Sequence, residues 1–122
     1  MKSREKGLKR ILKAFVYSGA GFAAAFKSEA AFRQDLAVFA AGTAAACCLD
    51  LTAVERVMLI SSLFLILPAE LVNTAIETLV DRISDDFHPL SKKAKDIGSL
   101  IVLLSFVNAL LWWGTVLWLR FI

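Results

Sequence analysis

From Ile97 to Leu119 the chain runs without one charged side chain. About 20 apolar residues carry an α-helix across a bilayer, so this run is long enough to span unaided. Two other uncharged runs precede it, Leu36 to Leu49 and Val57 to Ala69. The first is short for a span. Extending it back through Ala30 admits Arg33 and Asp35 near an interface, where a long side chain can reach back to water. The spans are therefore read as 30–49, 55–81 and 97–119. At 58% hydrophobic residues, the composition exceeds the roughly one-half apolar share of soluble domains. The expectation is an all-α membrane protein forming one domain over residues 1–122.

The amino-terminal 28 residues follow a different pattern. Lys2, Arg4, Lys6, Lys9, Arg10 and Lys13 face a single early acid, Glu5. Leu8, Ile11, Leu12, Phe15, Phe22 and Phe26 share one helical face, with Lys6, Arg10, Lys13 and Tyr17 on the other. This is the pattern of an amphipathic helix lying on an anionic membrane surface. A cleaved signal peptide is disfavoured, because its core needs no amphipathic faces. Gly19 and Gly21 suggest a bend. The glycine spacing also brushes against a dinucleotide fingerprint, but no strand precedes it. The net charge of +3 is not spread into a basic field interleaved with aromatics, which argues against nucleic acid. Cys47 and Cys48 are adjacent and lack metal-ligand spacing, so they read as two small buried hydrophobes.

The second run leads into a polar stripe. At 100° per residue, Glu70, Asn73, Thr74, Glu77 and Asp81 share one side of a helix. Val72, Ala75, Ile76 and Leu79 share the other. Glu70 and Glu77 lie about 10 Å apart along the axis, and carboxylates at the end of a span usually mark function. Pro68, two residues upstream, predicts a kink. Glu29 is either the i,i+4 ion-pair partner of Arg33 or part of the site. Asp50 to Arg56 reads as a polar break, and Ile83 to Asp96 as the one substantial loop, with Pro89 suited to a first helical turn. Lone His88 has no second His to complete a metal set. Trp112, Trp113 and Trp118 resemble an interfacial belt, and the positive charges put the amino terminus and the 82–95 loop in the cytoplasm and the carboxyl end outside. Glu29, Glu70 and Glu77 then share the cytoplasmic side.

Such a carboxylate cluster suits magnesium, which uses one or two carboxylates plus substrate phosphates. A carboxylate beside it could take a proton from a lipid hydroxyl, and Lys95 or Arg10 could stabilise a transferring phosphoryl group. No Walker A, glycine-rich kinase loop or kinase catalytic-loop motif is present. A small proton-coupled transporter is the alternative from another class, although it would hold its carboxylate near the midplane.

Glu70-Leu-Val-Asn73-Thr74-Ala75-Ile76-Glu77-Thr-Leu-Val80-Asp81 resembles the signature of the bacterial diacylglycerol kinase family. Glu29 to Gln34, Arg56 with Ile60-Ser61-Ser62, and Lys95 to Ser99 look like its other blocks, in order, over nearly the whole chain. The resemblance implies a homotrimer of three-span subunits in the bacterial inner membrane, with sites shared between neighbours. It implies ATP- and magnesium-dependent phosphorylation of the primary hydroxyl of diacylglycerol to phosphatidic acid. By the same resemblance Glu70 is the general base and Asn73 orients groups around it. Glu29 and Glu77 hold magnesium on the ATP phosphates. Arg10, Tyr17, Asp86, Phe87, His88, Lys95 and Asp96 complete the ATP site. Arg10, Ala14, Ala31, Phe32, Arg33, Gln34, Asp35, Arg56, Glu70 and Ser99 border the lipid. Pro68 and Gly19 depart from the family pattern, and an undecaprenol kinase of the same family is the runner-up.

Overall fold

The computed structural model describes residues 6–122. Among the described residues the regular structure is helical: α1 (Leu8–Ser28), α2 (Ala30–Cys48), α3 (Ala53–Phe64), α4 (Ile66–Ile83) and α5 (Pro89–Phe121). Lys2, Arg4 and Glu5 of the expected surface helix lie outside them.

The chain bends where backbone chemistry requires it, and not always where glycine or proline suggests. α1 is continuous through Gly19 and Gly21, so neither glycine interrupts it. It ends at Glu29, whose extended backbone (φ −116°, ψ 106°) starts α2 one residue later. The Arg33 guanidinium donates to the carbonyls of Phe26 and Lys27 at 2.6 and 3.2 Å. These belong to the last turn of α1, whose acceptors lack helical partners. Arg33 is therefore aimed back at α1, and the expected pair with Glu29 is replaced.

The expected single helix over 55–81 is two helices parted at Leu65. Pro68 lies three residues beyond the break. A proline donates no hydrogen bond, and its ring crowds the carbonyl four residues earlier, here that of Phe64. The distortion therefore appears upstream of the proline itself. Ahead of α3, Thr52 and Glu55 form a reciprocal capping box, with bonds of 3.1 and 2.8 Å. At the other turn, the loop expected over 83–96 shrinks to Ser84–His88, because α5 begins at Pro89. His88 caps it, its Nδ1 accepting from the Leu90 N–H at 3.1 Å. The lysines at 92, 93 and 95 thus sit on a helix.

Three small apolar clusters hold the bundle. Ala46, Leu51, Leu59 and Val116 join α2, α3 and α5; Leu63, Ile66 and Ala109 join α3, α4 and α5; and Ala25, Phe32 and Leu67 join α1, α2 and α4. Phe32 is wholly buried and meets Phe22 edge-on at 5.5 Å. Trp113 turns inward and donates from Nε1 to the Leu59 carbonyl at 3.3 Å, so it bridges helices, whereas Trp112 and Trp118 stay exposed.

Most other apolar side chains face outward, including Leu103, Leu104, Leu110 and Leu111. Two helical stretches, Ala53–Ile83 and Pro89–Phe121, are long and apolar enough to cross a membrane, with only 33% and 17% of their apolar windows buried. The core helix of a soluble protein is mostly buried, so this distribution suits a lipid environment. Cys47 and Cys48 are free and exposed, not buried as expected, because both lie on the outward side of α2.

Candidate active site

α4 carries the stripe of polar residues, and its neighbours bring partners to it. α4 packs most extensively against α5 and also touches α2. Glu70, despite its charge, is only 7% exposed. Asp35 on α2, 8% exposed, brings a second carboxyl close to it. Asp35 Oδ2 is buried without a partner. Glu77 and Glu29 are near enough to act on Glu70 electrostatically. The three glutamates expected at one face thus share one acidic neighbourhood, and Asp35 joins them.

One turn along α4, the Asn73 amide donates from Nδ2 to Glu77 Oε1 at 3.1 Å. Its Oδ1 is buried without a partner. Two turns on from Asn73, Asp81 accepts from Lys95 Nζ of α5 at 2.7 Å. Lys95 is followed by Asp96, which pairs with Lys92 at 2.6 Å. Asp81 is therefore bonded across the helices, and its proximity in sequence to Arg82 is not what occupies it.

Beyond the stripe, where α4 turns into α5, a cavity of about 470 Å³ is lined by Val80, Asp81, Ser84, Asp85, Asp86, Phe87, His88, Lys92, Lys95 and Asp96. It gathers five of the residues expected at a nucleotide: Asp86, Phe87, His88, Lys95 and Asp96. Small-molecule pockets span roughly 300–1,000 Å³, so the size is suitable. The His88 cap fixes its free tautomer, since an accepting Nδ1 leaves the proton on Nε2.

Other expected site residues are not brought to this cavity. Arg10, Ala14 and Tyr17 lie on the exposed length of α1, which packs chiefly on α2. Ala31, Gln34 and Ser99 are exposed, whereas Phe32 is core. Arg56 stands at the start of α3, about 21 Å of helix rise from Glu70. Its guanidinium donates to the carbonyls of Ala46, Leu49 and Leu51 at 3.0, 3.2 and 3.3 Å. There it closes the α2–α3 turn.

The carboxylate oxygens of Glu77 and Glu29 are the hard ligands magnesium prefers. Among the described residues no three acidic, His or Cys side chains gather as a metal cluster. Glu77 and Glu29 could supply the one or two carboxylates that magnesium takes, with phosphate oxygens and water completing its shell. The Asp35 contact with Glu70 is the feature sequence reading missed. An isolated acid beside an apolar run was its signal.

The family model described as prokaryotic diacylglycerol kinase matches residues 16–117. The diacylglycerol kinase of Escherichia coli K12 is 44% identical over 121 residues, covering 99% of both chains. That of Pseudomonas aeruginosa is 46% identical over 113 residues, 93% of this chain and 92% of its own. That of Haemophilus influenzae is 37% identical over 111 residues, 91% and 94% of the two chains. A match of this length and identity shows that the chain belongs to the prokaryotic diacylglycerol kinase family.

Proposed function

We propose that this protein transfers the γ-phosphoryl group of ATP to the primary hydroxyl of diacylglycerol, giving phosphatidic acid and ADP. The observation that carries the reading is 44% identity to a diacylglycerol kinase over 99% of the chain, in a fold whose α4 buries the Glu70 carboxyl and ends at a nucleotide-sized polar cavity. Glu70 takes the hydroxyl proton as the lipid oxygen bonds to the γ-phosphorus, and the bond from that phosphorus to the bridging oxygen of ADP breaks. Asn73 orients Glu77. Lys95, held by Asp81 until nucleotide arrives, meets phosphate charge, while Asp86, Phe87, His88 and Asp96 surround the nucleotide. Magnesium, held by Glu77 and Glu29 with the phosphates, supplies positive charge where negative charge builds.

In this reading α2 is a third membrane crossing. The amino terminus lies in the cytoplasm of a bacterial inner membrane and the carboxyl terminus outside. Three copies assemble, which brings Arg10 and Tyr17 of one α1 to the nucleotide cavity of a neighbour and Ala14 to its lipid. The apolar surface left exposed on the single chain supports such an assembly.

The test is label transfer from ATP, with magnesium, in mixed micelles containing either diacylglycerol or undecaprenol. Preferential labelling of diacylglycerol is the expected result. Preference for undecaprenol keeps the mechanism and overturns the substrate. Labelling of neither returns the carboxylates to proton-coupled transport.

A further inference from the structure

We infer that Gly98 is a positioning residue, the notch in α5 that seats the Asn73 amide so that it donates to Glu77. Gly98 is buried where α5 crosses α4. A Cβ placed there would collide with Asn73 Oδ1 and come to 3.4 Å from both Asn73 Cγ and Ile76 Cδ1. The two ends of the amide are assigned by chemistry, because an ionised carboxylate only accepts hydrogen bonds. Nδ2 must therefore face Glu77, and Oδ1 must face the glycine. Any side chain at 98 drives Oδ1 out of the notch. The amide is planar and rigid, so the same rotation pulls Nδ2 off Glu77 and ends the 3.1 Å bond.

Loss of a partner that orients a metal-binding side chain typically lowers metal affinity or activity by about 10–100-fold. Gly98 thus acts on Glu77 through Asn73 without touching the metal. The inference rests on the proposed role of Glu77 as a magnesium ligand.

A second glycine separates this role from ordinary close packing. At Gly42 a Cβ would collide with Leu63 Cδ1, an apolar neighbour on α3. At Gly114 it would meet nothing within 4 Å. Gly42→Ala and Gly114→Ala are therefore a packing control and an open-space control on the same fold.

The experiment is a titration of Mn²⁺, read by electron paramagnetic resonance, into the full-length protein in detergent with a non-hydrolysable ATP analogue. Thermal melts accompany it. Gly98→Ala is expected to weaken Mn²⁺ binding about 10-fold or more. Gly42→Ala is expected to lower the melting temperature and leave Mn²⁺ binding unchanged, and Gly114→Ala to change neither. Asn73→Ala removes the colliding oxygen, so adding Gly98→Ala to it should weaken binding no further. That pair carries the test if Gly98→Ala alone folds poorly. Equal losses from Gly98→Ala with and without Asn73 would overturn the inference, as would unchanged binding in Gly98→Ala while Glu77→Gln binds weakly. Unchanged binding in Glu77→Gln would overturn the metal reading itself, and the inference with it.

Discussion

The two ends of this helical bundle use charge in opposite ways. At the α2–α3 turn three charged side chains bond to backbone. Arg56 ties three carbonyls, Glu55 completes the Thr52 cap, and Arg120 donates to the Asp50 carbonyl at 3.1 Å with Glu55 at 3.9 Å. At the other end, carboxyl faces carboxyl at Asp35 and Glu70, and two buried oxygens, Asp35 Oδ2 and Asn73 Oδ1, have no donor. A buried acceptor left unpaired costs about 1–3 kcal/mol. An end built for stability avoids that cost, as the α2–α3 turn does. The acidic end keeps acceptors in reserve, as the proposed site for a proton, a cation and a nucleotide requires.

That contrast can be broken in several places. The largest effect belongs to Glu70. Glu70→Gln should lower kcat by on the order of 10²–10⁴-fold, the usual contribution of a positioned base, with no fall in melting temperature. Asn73→Ala should cost about 10–100-fold, expressed as a higher magnesium requirement. At the opposite end, Arg56→Ala should lower stability by about 2–3 kcal/mol through its lost charged hydrogen bonds, leaving the KM for ATP unchanged. A raised lipid KM with unchanged stability would instead give Arg56 the substrate contact that the family resemblance implies. The smallest effect is at Thr52→Ala, about 1 kcal/mol for a lost cap, seen in thermal melts and absent from kinetics.

Much of this was legible in the residues. The uncharged run from Ile97 gave α5, and the stripe from Glu70 to Asp81 fell on one face because helical periodicity is rigid. Local strain was less legible. Gly19 and Gly21 permit a bend but nothing there enforces one, and the Pro68 clash acts four residues upstream. Arg33 could pair with Glu29 by spacing, yet the open carbonyls closing α1 took its guanidinium. The Pro89 signal was correct, but the lysines after it look like loop until the cap at His88 is seen. Asp35 as partner of Glu70, and Gly98 against Asn73, depend on which helices meet. No periodicity within one helix encodes that. Arg10 and Tyr17 of α1, expected at the nucleotide, lie apart from the cavity in a single chain, and the proposed assembly would bring a neighbour's copies to it.

The most direct measurement is the initial rate of label transfer from ATP to diacylglycerol by Glu70→Gln and Arg56→Ala, each set against its own melting temperature. The account predicts a near-inactive, stably folded Glu70→Gln and a less stable Arg56→Ala whose folded fraction works at close to the normal rate. An active Glu70→Gln, or one that loses its fold together with its activity, would make Glu70 structural and contradict the division between the two ends.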